Sequence, residues 1–255
     1  MPESGSPLNV LLVEDDASIR RFVALALEGE ALRLVEATSL AEARALLAQE
    51  GFDLVIADLM LGDGSGMDLL RELATRPSST RMAFSAGIDR TVRARLADIG
   101  VTEVLAKPVS VGALQAAVAR ARAPRPALAP EGFTGAPTAP ATTADAPAGP
   151  ASEAAAIERY FGGDRSLFLL YRQQCRTQFA EDLRQGDALA AAGRTAEMRH
   201  LAHSLKSVLS MLGDEGASAS ARALEDAAAC GDGRAASGHW RALAPCLRSH
   251  RDDTA

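Results

Sequence analysis

Four apolar runs in the first half of the chain end in residues that could do chemistry: Glu14-Asp15-Asp16, Asp58, Ser85 and Lys107-Pro108. Carboxylates gathered in one place repel unless a cation neutralises them, and an oxygen-rich site that must also admit phosphate suits Mg²⁺. With Mg²⁺ held there, one carboxylate can attack phosphorus while the metal and an ammonium balance the charge on the transferring oxygens. Asp58 is that nucleophile by position, alone at the end of its run and followed by a loop, Leu59 to Gly66, expected to be flexible enough to close on the site. A second chemistry lies in the other half of the chain. Between Thr195 and Leu212, an apolar stripe of Met198, Leu201, Leu205, Val208 and Leu212 marks the inner face of a helix. At roughly 100° per residue His203 falls about 160° from Leu201 and Leu205, so it is expected to point into solvent with Lys206 and Ser207 on the same face. An exposed imidazole nitrogen is a good nucleophile for phosphorus, and a neighbouring ammonium would attract the donor. His200 shares this face, and helical geometry does not choose between the two histidines.

The acidic residues need strand ends to hold them. Val10 to Val13, Leu32 to Val35, Leu54 to Ala57, Met82 to Phe84 and Val104 to Ala106 are the candidate strands, separated by amphipathic stretches such as Ser39 to Gln49 behind a Thr38-Ser39 cap. Alternating strands and helices imply a parallel sheet, and the uninterrupted apolar run at 54 to 57 suits a central strand covered on both faces. In such doubly wound α/β folds ligands bind just beyond the carboxyl ends of the strands, where these residues stand. The second half reads as helices only. Phe168, Tyr171, Cys175, Phe179 and Leu183 recur at helical spacing, Gly193 and Gly213 stand where two helices would end, and shorter Ala-rich helices are expected around Ala217 to Ala229 and Ala235 to Leu247. The expected architecture is α/β plus all-α: a doubly wound five-stranded parallel sheet followed by an antiparallel four-helix bundle.

Between the halves, residues 124–150 hold seven of the chain's twelve prolines and little that could build a core, and read as a semi-extended linker. Domains are therefore expected at 7–123 and 151–252. With 47% apolar and 24% charged residues, the 255-residue chain reads as globular. No apolar run is long enough for a membrane span and no secretory signal is evident, so a cytoplasmic protein with no membrane partner is expected. A formal charge of −6 argues against nucleic acid as the main partner. Cys175, Cys230 and Cys246 form no C-x-x-C pair and are expected to be buried free thiols.

In order, LLVEDD, DLMLGDGSG, FSAG and LAKP resemble the response-regulator receiver domain, a flavodoxin-like fold. The 43 residues from Asp15 to Asp58 and the 22 from Ser85 to Lys107 match that family's intervals. The resemblance covers residues 8 to about 122 and implies that Asp58 is the phosphoacceptor, Asp15 a direct Mg²⁺ ligand, Glu14 a ligand through water and the Met60 carbonyl a further ligand. It makes Ser85 the switch hydroxyl, Lys107 the partner of the phosphoaspartate and Asp16 a bystander, with a cis bond at Lys107-Pro108. Two residues depart from the pattern: Gly62 replaces the usual proline, and Val104 stands where a switch aromatic is common. Downstream, AHSLKSVLSMLG is similar to the histidine phosphotransfer (HPt) motif. This resemblance selects His203 as the phosphohistidine, with Leu205, Lys206 and Gly213 in their family places, Ser207 for the usual glycine, and helix lengths that suit a monomeric bundle.

Together the two resemblances imply a phosphorelay protein of a two-component system, with a sensor histidine kinase and a partner receiver or HPt protein as its partners. No ATP-binding glycine boxes are evident, so the chain is not expected to act as a stand-alone kinase. GDGSG at 62 to 66 lacks nucleotide-loop spacing. An aspartyl-phosphate phosphatase would need an Asp where Met60 stands. The remaining alternative is a regulator in which phosphorylation of Asp58 frees or hides a helical docking module that transfers no phosphoryl group.

Overall fold

The structure, a computed structural model, describes residues 7–75, 79–87, 89–101, 103–122 and 152–252. The segment read as a linker, 124–150, lies outside the described residues. In chain order the first part comprises β1 (Leu8–Val13), α1 (Ala17–Ala26), β2 (Leu32–Ala37), α2 (Leu40–Gln49) and β3 (Leu54–Asp58). A short β4–β5 pair follows (Met60–Leu61, Gly64–Ser65), then α3 (Gly66–Glu72), β6 (Thr80–Ser85), α4 (Arg90–Asp98), β7 (Glu103–Ala106) and α5 (Val111–Arg122). All five expected strands are present, hydrogen-bonded in the order β2-β1-β3-β6-β7 and parallel throughout. This is a flavodoxin-like doubly wound sheet.

Alternation along the strands builds two cores. Leu11, Val13, Val55, Ala57 and Ala83 face α2, α3 and α4, whereas Val10, Leu12, Leu54, Ile56, Met82 and Phe84 face α1 and α5. Side-chain caps start the helices at the places their residue types dictate: Asp16 accepts from the Ile19 amide at 2.9 Å and Ser39 from the Glu42 amide at 3.1 Å. The segment Leu59 to Gly66, expected as a flexible loop, is a tight hairpin instead. Met60 and Leu61 pair antiparallel with Ser65 and Gly64, and Asp63 accepts from the Leu40 and Ala41 amides, tying the turn to the start of α2.

The C-terminal part is helical: α6 (Glu153–Phe161), α7 (Arg165–Ala192), α8 (Thr195–Met211), α9 (Glu215–Ala229) and α10 (Gly233–Asp252). Gly193 caps α7 in the left-handed region, and Gly213, at φ 83°, follows the end of α8. The two apolar stripes read from the sequence are buried. Among the cysteines only Cys175 meets the expectation of burial. Cys230, at the turn after α9, is exposed, and Cys246 is half-buried.

The two parts touch. Helix α1 packs against α7 and α8, and α5 against α6. The Phe22 ring on α1 stands edge-on to Phe161 at 5.6 Å and to Tyr171 at 5.7 Å, so the apolar core on the α1 face of the sheet continues into the helical region. Aromatic burial of this kind contributes about 2–3 kcal/mol per ring. No described helix is long and apolar enough to cross a membrane.

Within α7, burial pushes the Asp182 carboxyl up to about 7, against the lowering effect of its hydrogen bond from Gln178 at 2.9 Å. A folded value above the unfolded one means that this carboxyl's contribution to stability is fully present below pH ~4 and is lost as pH rises toward 7. Asp182→Asn keeps an acceptor for Gln178 but cannot ionise. Urea unfolding followed by Trp240 fluorescence is expected to show it about 2 kcal/mol more stable than wild type at pH 8 and equal to it at pH 3.

Candidate functional site

The ends of four parallel strands bring the acidic group together. Glu14 follows β1 and is fully buried, Asp58 ends β3 at 2% exposure, Ser85 ends β6, and Lys107 follows β7. The Lys107 ammonium donates to Glu14 Oε2 at 2.5 Å and to Asp58 Oδ2 at 2.8 Å, over the Phe84 ring. Burial works against its charge, but the two carboxylates outweigh that and hold its pKa above the ordinary lysine value. The backbone N–H of Lys107 donates to the Ser85 carbonyl at 3.0 Å, holding both at adjacent strand ends, and the Lys107-Pro108 bond is cis. The Met60 N–H donates to Asp58 Oδ1 at 3.1 Å and the Gly62 N–H to Asp15 Oδ2 at 2.8 Å, so the hairpin holds two of the acids. Asp16 stands aside as the cap of α1.

One ligand atom from each of Glu14, Asp15 and Asp58 lies within 4.8 Å of the others. One lysine does not neutralise three carboxylates. Burial pushes the Glu14 carboxyl up to about 8 despite Lys107, and Asp15 Oδ1 is buried with no hydrogen-bond partner among the described residues. A hard divalent cation would relieve both, and the all-oxygen donor set fits Mg²⁺.

Gly66 contributes in a way the sequence reading missed. A Cβ built on it would stand 1.8 Å from the Asp58 carbonyl oxygen, so only glycine lets α3 start against the end of β3.

The histidine helix differs from expectation. His203 is 3% exposed and does not point into solvent. Its Nδ1 bonds Glu225 Oε1 on α9 at 2.7 Å, and its buried Nε2 has no partner among the described residues. Lys206 is likewise turned to Glu225, at 2.5 Å, and Ser207 is buried. Helical periodicity sets an angle about the axis of α8 and says nothing of what packs there. Helix α9 covers that face with a carboxylate, and α1 of the first part also lies against α8. Burial opposes the Glu225 carboxylate, but hydrogen bonds from His203 and Lys206 bring its pKa down to about 2. Glu225 was not identified from the sequence, since only the packing of α9 on α8 brings it to His203. The two histidines are also separated: His200 Nε2 lies 2.5 Å from Asp15 Oδ2, across the junction between the two parts.

An acidic, lysine-paired site with an all-oxygen donor set at the carboxyl ends of a doubly wound sheet defines a flavodoxin-like class of α/β domain. The family model of the response regulator receiver domain matches residues 10–119, and that segment is a receiver domain. It is 38% identical over 108 residues to the KDP operon transcriptional regulatory protein KdpE of Escherichia coli, covering 42% of this chain and 48% of that protein. It is 37% identical over 114 residues to the response regulator protein PilR of Pseudomonas aeruginosa, covering 44% of this chain and 25% of that one. The matched segment thus spans about half or less of these relatives. Among solved structures, the chemotaxis response regulator CheY4 of Vibrio cholerae superposes with a TM-score of 0.42 at 21% identity, covering 45% of this chain and 98% of that one. Receiver domains of two-component systems interact with sensor histidine kinases and bind Mg²⁺ at an acidic pocket. In this chain that pocket is the Glu14, Asp15 and Asp58 cluster.

Proposed function

We propose that this chain is a cytoplasmic phosphorelay protein. In this reading a receiver domain over 7–123 accepts a phosphoryl group on Asp58, the segment 124–150 is a tether, and the helical region from 151 to 252 is an HPt bundle carrying one on His203. The observation that carries the second half is the state of the His203 ring. Nδ1 is tied to a carboxylate, and Nε2 is left without a partner among the described residues, which holds the tautomer whose Nε2 lone pair is free for phosphorus. In transfer between docked partners, the bond from a histidine Nε2, such as that of His203, to phosphorus breaks as a bond from an aspartate carboxylate oxygen, such as that of Asp58, to phosphorus forms. The imidazole keeps its electron pair, and the Lys107 ammonium balances charge on the transferring oxygens. Mg²⁺, held by Asp15 and Asp58 with Glu14 through water and the Met60 carbonyl, would supply the remaining positive charge. Ser85 would contact the phosphoryl group. Because His203 is covered, the ring meets an outside receiver only after the covering elements shift. KdpE is a transcriptional regulatory protein, but the likeness lies in the receiver segment, so nucleic-acid binding forms no part of the proposal.

The test is Phos-tag electrophoresis of the full chain after incubation with a phosphorylated histidine kinase and Mg²⁺, with acid and alkali treatments to tell the linkages apart. An alkali-labile band lost in Asp58→Asn and an acid-labile band lost in His203→Gln are expected. No band with several kinases or with acetyl phosphate would sink the reading. Glu225→Ala is expected to slow phosphoryl acceptance at His203 about tenfold, with Glu225→Gln, which still accepts from Nδ1, recovering much of it. Equal rates in all three proteins would remove Glu225 from the site.

A second reading is favoured by the packing of Phe22 between Phe161 and Tyr171: phosphorylation of Asp58 frees or hides the helical region without transfer. It predicts that signalling survives His203→Gln, whereas the relay predicts its loss.

A further inference from the structure

The hydrogen bond between His200 and Asp15 joins residues 185 positions apart and is a polar contact between α8 and the acidic pocket. It uses Oδ2 of a carboxylate already taken as a cation ligand, and that oxygen also accepts from the Gly62 amide. Gly62 is the residue that departs from the receiver pattern. A Cβ there would stand 3.3 Å from Asp15 Oδ2 and 3.8 Å from His200 Nε2, and a proline would also lack the donating N–H. The departure therefore relieves a tight approach to the carboxylate that the imidazole meets and gives that carboxylate a second donor. The contact is only partly satisfied, since His200 Nδ1 and Asp15 Oδ1 are both buried without partners among the described residues. A pair holding two unmatched polar atoms gives up part of its gain to desolvation, so it is poised to exchange for a better-matched ligand.

We infer that His200 is a latch on the acidic pocket, so that seating of the helical region on the receiver and binding of a divalent cation at Asp15 compete. This deepens the proposed function and rests on its assignment of Asp15 as a cation ligand. A cation that draws on the Asp15 carboxylate displaces the imidazole, and the loss of that contact loosens α8 from the pocket. By linkage, whatever holds the helical region down weakens cation binding by the same factor. Cation binding thereby readies the pocket for phosphoryl transfer and, in the same step, favours release of the helix that bears His203.

Isothermal titration of Mg²⁺ into the full chain tests this, comparing wild type with His200→Ala and His200→Gln. His200 is a half-buried helix residue outside the apolar stripe, so both variants should fold. Mg²⁺ is expected to bind His200→Ala roughly three- to tenfold more tightly than wild type, with His200→Gln between them because its amide can still donate to Asp15. Hydrogen exchange supplies a readout independent of affinity. Saturating Mg²⁺ should speed exchange in the first turns of α8 in wild type and have little effect in His200→Ala. Equal Mg²⁺ affinity in all three proteins, or unchanged α8 exchange in wild type, overturns the latch while leaving the cation site standing. No Mg²⁺ binding in any of them overturns the cation assignment, and the latch with it.

Discussion

Gly66→Ala is expected to lower phosphoryl acceptance at Asp58 by about a hundredfold or more while the helical region stays folded. The added Cβ would lie 1.8 Å from the Asp58 carbonyl oxygen and 2.8 Å from its carbonyl carbon. These are backbone atoms of a fully buried central strand, so no side-chain rotation relieves the overlap, and either β3 or the start of α3 must shift. The Asp58 carboxylate is held between Lys107 at 2.8 Å and the Met60 amide at 3.1 Å, and displacement by an ångström or so breaks both. Misplacement on that scale costs about two orders of magnitude in a positioned reaction. Initial rates of acetyl phosphate labelling, read by Phos-tag electrophoresis, check this. Gly51→Ala is the control, because a Cβ there meets nothing within 4 Å. A Gly66→Ala rate within threefold of wild type would show that the loop absorbs the methyl group and that the close approach is incidental.

Gly186→Ala is expected to destabilise the helical region by about 2 kcal/mol. Alanine in mid-helix ordinarily stabilises by about 1 kcal/mol relative to glycine. Here its Cβ would stand 2.1–2.5 Å from three atoms of the Trp240 indole, which is 1% exposed and pinned by its Nε1–H to Asp187 at 2.8 Å. Forcing such a ring aside in a packed core costs about 3 kcal/mol, which exceeds the helix-propensity gain. Urea unfolding followed by far-ultraviolet circular dichroism, which does not depend on Trp240, the chain's single tryptophan, measures the difference. Trp240→Phe in the Gly186→Ala background should recover part of it, because the smaller ring vacates the contact. A Gly186→Ala protein as stable as wild type would mean that α7 and α10 can separate at this point at no cost.

Both predictions concern glycines whose importance is not visible in the chain. Gly66 falls in the segment expected to be a flexible loop, and Gly186 lies in a helical stretch where nothing local marks it out. What each glycine excludes is an atom from elsewhere: the carbonyl of Asp58 in one case and the indole of a residue 54 positions on in the other.

The sequence by itself determined the five strands and the placing of Glu14, Asp15, Asp58, Ser85 and Lys107 beyond their ends. In a parallel sheet, local pattern decides where each strand stops, and the topology then brings the stops together at one edge. It also determined the two buried stripes of the helical region and the glycines that end α7 and follow α8, since these depend on periodicity and backbone conformation alone. Tertiary structure alone decided how the histidine helix is covered. Periodicity gives the direction of His203 about α8 but not that α9 lays Glu225 there, that Lys206 turns to the same carboxylate, or that α1 also lies against α8. It likewise decided that His200, equivalent to His203 by helical angle, is the one that meets Asp15. The physical reason is the same throughout. Hydrophobic pattern and capping are local and recur along the chain, whereas a hydrogen bond between side chains 22 or 185 residues apart exists only once packing has fixed the distance between their helices.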